Sequence, residues 1–319
     1  MTVAREPFTV RNMSQPRIVS LIASATEIVC ALGLRDRLVG RSHECDYPED
    51  VLALPQLTAP KFKVEGTSAE IDARVQQIVR DGLSVYRVDG DALKALSPTA
   101  IVTQDHCEVC AVSLSDVEAA TCTWTGQAVD IVSLKPDSMA DVYADIRRVA
   151  RALDSAPAGE ALVSDMQTRI AAIARRVASA SRPRVAFIEW VEPLMAGGNW
   201  MPELVEAAGG INLFGTAGKH SGWMQLEDLA AADPDVILVG PCGYGLHRCL
   251  EERLLLQAKA GWRDLGAVRS GRVYFTDGNA YFNRPGPRLA DSTEIIAEIL
   301  HPDLFPARHH TTAWLSMPT

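Results

Sequence analysis

Short apolar strand patterns alternate with amphipathic helical patterns along this chain, and the alternation starts twice. It starts first at residues 17–21, before a helical pattern that Gly33 closes, and continues through strand patterns at 84–88 and 99–103. It starts again at 184–190, directly after Arg182-Pro183. Strands that alternate with helices form mostly parallel sheets through right-handed crossovers. The pattern therefore predicts an α/β protein with two Rossmann-like lobes built on parallel sheets.

A long helical pattern separates the two series of strands. Residues 160–180 carry apolar side chains at helical spacing, and these are Leu162, Met166, Ile170, Ile173 and Val177. A chain of 319 residues that is 47% hydrophobic can bury the cores of two lobes. We expect an N-terminal α/β lobe over 1–156, a connecting backbone helix over 157–181, and a C-terminal α/β lobe with a short tail over 182–319.

The composition of the chain indicates which kind of partner it binds and which cellular compartment it occupies. A net charge of −9 argues against nucleic acid, which needs clustered Lys and Arg. We expect a small-molecule partner and no membrane insertion. Residues 1–16 lack the apolar region of a signal peptide, and seven cysteines, an odd number, fit a reducing compartment. The expectation is a cytoplasmic protein, or a periplasmic one only if the sequence lacks its signal peptide.

Two Cys/His clusters follow predicted strands directly. His43 and Cys45 follow the strand pattern at 38–40, and His106, Cys107 and Cys110 follow the one at 100–102. Ligands of open α/β sheets bind outside the carboxyl ends of strands. The Cys-x-x-Cys spacing suits zinc, an iron–sulfur group or a redox pair. If the two strand ends are neighbours, these side chains together could supply three or four soft ligands to one zinc or iron site; a dithiol redox role and a purely structural role are the alternatives.

Strand ends of the predicted second lobe carry aromatic and polar residues suited to a cleft. The candidate ligand-binding residues are Glu189, Trp190, Trp200, Tyr244, Tyr281 and Arg284. The aromatic rings could stack on a flat macrocycle, and the Arg284 guanidinium could pair with a carboxylate or amide edge. For each aromatic residue, core packing is the alternative.

Sequence motifs of common catalysts are absent. The chain has no Gly-x-Gly-x-x-Gly after a strand, no phosphate-binding Walker A motif and no Gly-x-Ser-x-Gly motif. We therefore expect a protein that is not an enzyme, with an enzyme or redox protein that uses Cys107 and Cys110 as the alternative.

Several segments resemble one known family. They are Arg-Ile-Val-Ser-Leu-Ile-Ala-Ser-Ala-Thr-Glu-Ile at 17–28, Asp-Tyr-Pro at 46–48, Gly-Gly at 197–198, Ala-Gly-Gly-Ile-Asn at 208–212, and Leu-Glu-Asp-Leu at 226–229 before Asp-Pro-Asp-Val-Ile at 233–237. From about residue 17 to about residue 305, the sequence resembles the helical-backbone substrate-binding proteins of ABC importers, which carry cobalamin, heme and iron–siderophores. It is most similar to the cobalamin-binding branch, which also has the His-Glu-Cys-Asp-Tyr-Pro and Cys-x-x-Cys segments.

The resemblance implies a function and a partner. It implies a non-catalytic protein that binds cobalamin, a related corrinoid or another metal chelate between the lobes. The chemistry of the Cys/His clusters adds that a His or Cys could be an axial ligand of a corrinoid cobalt. It also implies that Asp91 and Glu227, one in each lobe, dock onto an ABC permease if the protein is exported. A cytosolic metal-binding protein that uses His43, Cys45, Cys107 and Cys110 is the alternative.

Overall fold

Four parallel strands form the sheet of the first lobe. The computed structural model describes residues 16–80, 85–104, 117 and 129–318. The strands are β1 (Ile18–Ser20), β2 (Leu38–Arg41), β5 (Ala100–Gln104) and β6 (Asp130–Leu134), in the order β2-β1-β5-β6. Strand β1 is buried along its whole length, as expected for a strand of a parallel sheet with both faces covered.

A separate antiparallel pair lies beside this sheet. It consists of β3 (Thr58–Pro60) and β4 (Tyr86–Val88), with Thr58 paired to Val88. The prediction that the strand at 84–88 belongs to the parallel sheet is therefore wrong. Both strands have only three residues, and Pro60 has no N–H with which to extend a ladder.

The second lobe contains a mixed sheet of seven strands. Its parallel strands are β7 (Arg184–Trp190), β9 (Ile211–Asn212), β11 (Val236–Val239) and β12 (Val273–Thr276). Its antiparallel strands are β8 (Met195–Ala196), β10 (Gly222–Trp223) and β13 (Trp314–Ser316). The order is β10-β8-β7-β11-β12-β13, with β9 paired to β7. The prediction of a parallel sheet holds only for its centre, because β8 returns from β7 through a short turn and β13 comes from the C-terminal tail.

Helices cover the sheets, and one long helix follows the first lobe. The helices are α1 (Ala23–Ala31), α2 (Ser68–Arg80), α3 (Gly90–Ala95), α4 (Met139–Ala152), α5 (Ala156–Val177), α6 (Met201–Ala207), α7 (Leu226–Ala232), α8 (Leu246–Glu251), α9 (Arg253–Ala258), α10 (Gly266–Arg269) and α11 (Leu289–Leu300). Helix α5 has 22 residues, about 33 Å at 1.5 Å per residue. Pro157 lies in its first turn, where the missing N–H costs nothing. Within the described ranges, every helix is too short or too polar to cross a bilayer.

One buried apolar cluster joins the two lobes through α5. It includes Ile28 and Ile146 of the first lobe, Met166 of α5, and Val185 and Ile296 of the second lobe. Each such side chain contributes about 1.5–3 kcal/mol by leaving water. The predicted fold of two α/β lobes joined by one long backbone helix is confirmed, while the division at residues 156 and 181 stays a prediction.

Candidate functional site

His43 lies just beyond the end of β2, and Thr58 holds its imidazole in one orientation. The Thr58 hydroxyl donates to Ser42 Oγ at 3.1 Å and accepts from the His43 backbone N–H at 3.0 Å. His43 Nδ1 is 2.7 Å from the same oxygen, whose hydrogen is already used, so the network assigns the ring proton to Nδ1. Burial, and then the charge of Arg41, lowers the pKa of His43, so the ring is neutral at pH 7. Nε2 therefore keeps a lone pair for a hydrogen bond or a metal.

Glu44 and Tyr86 lie beside His43 on the first lobe, and we call these three residues the polar wall. The Tyr86 hydroxyl donates to Glu44 Oε1 at 3.3 Å, and the Tyr86 ring lies 5.0 Å from the His43 ring. Burial raises the pKa of Glu44 to about 7, against the opposing charge of Arg284 and the Tyr86 hydrogen bond. Glu44 Oε1 is 3.9 Å from His43 Nε2, too far for a hydrogen bond. The wall thus contains a carboxyl group that changes its charge near neutral pH.

Cys45 lies in the core of the first lobe rather than in this wall. Its side chain is fully buried, with Sγ 2.9 Å from Thr26 Oγ1. Burial raises the pKa of Cys45 to about 11, so its sulfur is a neutral thiol, whereas metal ligation requires the thiolate.

The joint metal site predicted from the two clusters is only partly described. His106, Cys107 and Cys110 lie outside the described residues. Among the residues that the structure does describe, no three His, Cys, Asp or Glu side chains are grouped so that they could hold a metal ion. The joint site of the two clusters stays a prediction.

On the second lobe, Trp190 and Tyr244 form an aromatic pair. Trp190 is the last residue of β7 and Tyr244 follows β11, so both lie at the carboxyl ends of two neighbouring parallel strands, and their ring centroids are 5.3 Å apart at 51°. Trp190 is half-buried. Glu189 lies beside the pair, and its Oε1 accepts a hydrogen bond from Ser221 at 2.9 Å. Three of the predicted ligand-binding residues are therefore brought together at one end of the sheet.

Two other predicted aromatic contacts lie elsewhere. Trp200 is a core residue, 6% exposed, and its Nε1 donates to the Phe282 carbonyl at 3.0 Å. Tyr281 packs edge-on against the His309 ring, with centroids 6.4 Å apart, and the Arg288 guanidinium lies 5.2 Å from its ring. Both side chains already have partners within the protein.

Arg284 is a structural cation between the lobes rather than a free ligand-binding group. It donates to both carboxylate oxygens of Asp46 at 2.5 and 2.9 Å and to Glu27 at 3.1 Å. It also donates to the Glu44 carbonyl at 3.2 Å and the Asn279 side chain at 3.0 Å. Arg284 is 5% exposed, so the prediction that its guanidinium pairs with a carboxylate or amide edge of the ligand does not hold.

Sequence reasoning missed the partners of this cation. Glu27 is buried in α1 and also binds Arg288, whose Nε is 2.9 Å from Glu27 Oε2. The Arg288 guanidinium in turn stacks on the Tyr47 ring at 4.1 Å. A glutamate inside the apolar pattern at 23–31 is a usable signal, because a buried carboxylate needs a paired cation.

A second contact between the lobes, which we call the edge contact, joins α2 to the segment at α8 and α9. Ser68 Oγ donates to Glu252 Oε2 at 2.6 Å, and both side chains are buried. Arg248 donates to the Gly66 carbonyl at 2.7 Å and pairs with Glu252 at 2.7 Å. Its guanidinium also lies 4.3 Å from the Tyr244 ring centroid. The edge contact therefore reaches the aromatic pair directly.

The two predicted docking carboxylates are at the surface. Asp91 is exposed in the first turn of α3, and Glu227 is exposed in the first turn of α7. A cavity of about 290 Å³ lies beside Glu227, lined by residues that include Leu194, Met224 and Lys259. Another of about 190 Å³ lies between β3, β4 and the start of α3. Neither cavity includes Trp190 or Tyr244.

Comparisons with known proteins agree with this architecture. A family model described as periplasmic binding protein matches residues 18–280. The chain is 25% identical over 314 residues to an uncharacterized ABC transporter substrate-binding lipoprotein, YvrC, of Bacillus subtilis, covering 96% of this chain and 83% of the relative. It is 21% identical over 292 residues to the vitamin B12-binding protein of Vibrio parahaemolyticus, covering 91% of each chain. The crystal structure of a periplasmic heme-binding protein from Pseudomonas aeruginosa has the same fold, with a TM-score of 0.70 and 21% identity over 95% of this chain and 98% of that chain.

These matches overturn the expected compartment. The family is one of periplasmic proteins and a relative is a lipoprotein, so the prediction of a cytoplasmic protein is wrong. The number of cysteines does not indicate a reducing compartment, for a physical reason. Burial raises the pKa of Cys45 to about 11 and that of Cys249 to about 12, so both thiols are protected by the fold and indicate nothing about the surrounding redox state.

The predicted resemblance is confirmed, as is the prediction that the chain is not an enzyme, because the relatives are solute-binding proteins without catalysis. The chain belongs to the periplasmic binding protein family and is a substrate-binding protein of the ABC-importer type.

Proposed function

We propose that this protein binds a metal-containing tetrapyrrole, with cobalamin or a related corrinoid as the first candidate, in the cleft between its lobes. The Trp190–Tyr244 pair carries this proposal. The two rings lie 5.3 Å apart at adjacent strand ends, and the half-buried Trp190 ring offers an aromatic face to a flat macrocycle. The vitamin B12-binding relative from Vibrio parahaemolyticus supports the choice of cobalamin.

His43 is the proposed contact with the metal of the cargo. Its Nδ1 proton is hydrogen-bonded to Thr58 Oγ1 at 2.7 Å, so Nε2 is the ring nitrogen whose lone pair is available to bind a metal. A neutral imidazole is a good ligand for cobalt or iron. The metal here belongs to the cargo, and the protein supplies an axial position.

Heme is a second candidate because of Arg248. Its guanidinium lies against Tyr244, with one nitrogen 3.3 Å from the Tyr244 hydroxyl, and a guanidinium pairs well with carboxylates such as those on the edge of heme. The similarity in fold to the heme-binding protein of Pseudomonas aeruginosa supports including heme in the tests.

A titration followed by visible spectroscopy tests the proposal. Saturable binding of aquocobalamin or hemin to the wild-type protein is expected, with a shifted absorption band if His43 coordinates the metal. Trp190→Ala is expected to weaken binding roughly tenfold or more, since a buried aromatic anchor contributes about 2 kcal/mol or more. Trp223→Ala, which removes a tryptophan that is 56% exposed on the edge strand β10, is the matched control.

His43→Ala separates coordination from stacking. We expect it to abolish the band shift while binding persists through the aromatic pair. No saturable binding of either compound to the wild-type protein would show that the proposed cargo is wrong.

We further propose that Asp91 and Glu227 dock the loaded protein onto an ABC permease. Both are exposed carboxylates in the first turn of a helix, one in each lobe, and neither has an ion-pair partner among the described residues. An arginine on the permease would be a suitable partner for each carboxylate.

A further inference from the structure

Helix α2 follows the first lobe's β3 in sequence and packs Ile78 and Val79 against the first lobe, yet the N-terminal part of its apolar face is buried with the second lobe. Ile71 and Val75 belong to the same buried cluster as Val191, Tyr244 and Leu246. Trp190 packs against that cluster. The N-terminal end of the helix also lies next to the aromatic pair, because Gly66, two residues before α2, binds Arg248, whose guanidinium lies against Tyr244.

The edge contact can open without leaving a buried charge unpaired. Glu252 is 2% exposed in the closed arrangement, and its charge is balanced by Arg248, four residues earlier in the same helical segment. Among the residues that the structure describes, the first-lobe group that hydrogen-bonds to Glu252 is a neutral hydroxyl, that of Ser68. A movement of α2 away from this segment would leave the Arg248–Glu252 pair intact and let water reach it.

The contact at the base of the lobes behaves in the opposite way. There, Glu27 and Asp46 of the first lobe face Arg284 and Arg288 of the second. Separating the lobes at this point would part every one of these charges from its partner, which is costly for buried groups. Opening at the edge contact would therefore cost less than opening at the base.

The backbone conformation of Gly66 sets the path of the exposed residues 63–67 that lead into α2. Its φ is +119°, a conformation that residues with a side chain rarely adopt, and residues 63–67 leading into α2 are exposed. This conformation accompanies a carbonyl placed 2.7 Å from Arg248 Nη2. The same nitrogen is 3.3 Å from the Tyr244 hydroxyl, so the Gly66 oxygen accepts a hydrogen bond from Arg248 right beside the aromatic pair.

From these contacts we infer that α2 is a movable cover of the cargo cleft, and that the Gly66 carbonyl occupies on Arg248 the position that a carboxylate or amide oxygen of the cargo takes when the cover opens. The inference rests on the proposed function for the identity of the cargo. In this inference, Arg248 recognises the polar edge of the macrocycle. The contacts of Ser68, Ile71 and Val75 with the second lobe compete with cargo binding.

Hydrogen exchange without any ligand tests the cover. We compare the wild-type protein with Ser68→Ala/Ile71→Ser, which weakens the edge contact from the first lobe, and with Ala73→Ser on the exposed face of α2. The double variant should exchange its α2 amides at least tenfold faster than the control, while the amides of α5 stay unchanged. Equal exchange of α2 in the double variant and the control would overturn the cover, whatever the ligand is.

Binding of hemin and aquocobalamin tests the role of Arg248. Ser68→Ala/Ile71→Ser should raise the association rate constant several-fold, and Arg248→Gln should lower affinity about tenfold. Opposite effects from residues joined in the same edge contact distinguish competition from general damage to the fold. Unchanged affinity in Arg248→Gln would overturn the assignment of Arg248. If neither compound binds the wild type or the double variant, the proposed function and the role of Arg248 are both wrong. The hydrogen exchange of α2 then remains the test of whether this helix is a movable cover.

Discussion

Arg284 holds Asp46 through two parallel hydrogen bonds, from Nη1 to Oδ1 at 2.5 Å and from Nη2 to Oδ2 at 2.9 Å. The two residues belong to different lobes and are 238 positions apart in sequence. Burial acts to lower the pKa of Arg284, but the bonds and charges of Asp46 and Glu27 outweigh it and raise the pKa above its usual range. One permanently charged guanidinium thus fixes the base of the cleft.

Replacing this cation should be strongly destabilising. Arg284→Met leaves the Asp46 carboxylate without its bidentate partner and Glu27 with Arg288 alone, and breaking a buried ion pair costs about 3–5 kcal/mol. The free energy of unfolding in urea, followed by circular dichroism, measures the loss. Arg263→Met, at an exposed arginine, is the control and should change stability by less than about 0.5 kcal/mol. A loss below about 1 kcal/mol in Arg284→Met would contradict a clamping role.

Glu44 should make stability depend on pH. Its folded pKa of about 7 lies above the ordinary value of 4.5, so the folded state holds the proton more tightly. The stabilisation is complete below pH 4.5 and is lost as the pH rises towards 7. Because the side chain is about a third exposed, solvent screening limits the effect to roughly 1 kcal/mol.

Glu44→Gln isolates this contribution. Arg284, Tyr86, His43 and Asp46 face the carboxyl group and are unchanged in the variant. The decline in unfolding free energy between pH 4.5 and 7 should be smaller in Glu44→Gln than in the wild type. Asp145, whose pKa burial raises to about 6, contributes a similar decline to both proteins and cancels in the comparison. Parallel pH profiles would exclude a raised pKa at Glu44.

The sequence predicted the fold better than the site because the fold depends on local patterns. Strands β1 and β7 are apolar runs followed by helical spacing, which is visible within 20 residues. Trp200 and Arg284 look equally suited to a cleft in the sequence, yet their partners lie far along the chain. The Trp200 indole binds a carbonyl 82 residues away, and Arg284 binds Glu27 257 residues away. No local pattern distinguishes these two from Trp190 and Tyr244, which do lie together.

Glu298 should anchor the C-terminal tail. This buried carboxylate in α11 accepts hydrogen bonds from the backbone N–H groups of Arg308 and His309, from His309 Nδ1 at 2.8 Å and from Trp314 Nε1 at 3.2 Å. Glu298→Ala removes the acceptor of all four bonds and should cost about 2–4 kcal/mol, since buried donors then lose their partner. Thermal unfolding measures this loss, and hydrogen exchange should rise over residues 308–316.

An exposed ion pair provides the comparison for Glu298. Glu160→Ala breaks the surface pair with Arg147 at 2.9 Å and should cost less than about 1 kcal/mol. If the two variants lost equal stability, the tail would not depend on Glu298.

Asp91→Ala and Glu227→Ala should separate docking from binding. Each carboxylate lies in the first turn of a helix, where the helix dipole favours it by about 0.3–1 kcal/mol, so the double variant should fold and bind cargo as the wild type does. Stimulation of ATP hydrolysis by a cognate permease in lipid nanodiscs should fall at least tenfold. Asp36→Ala, at another exposed carboxylate of the first lobe, is the control and should leave stimulation unchanged. Full stimulation by the double variant would place the docking surface elsewhere, whereas loss in Glu227→Ala alone would confine the contact to the second lobe.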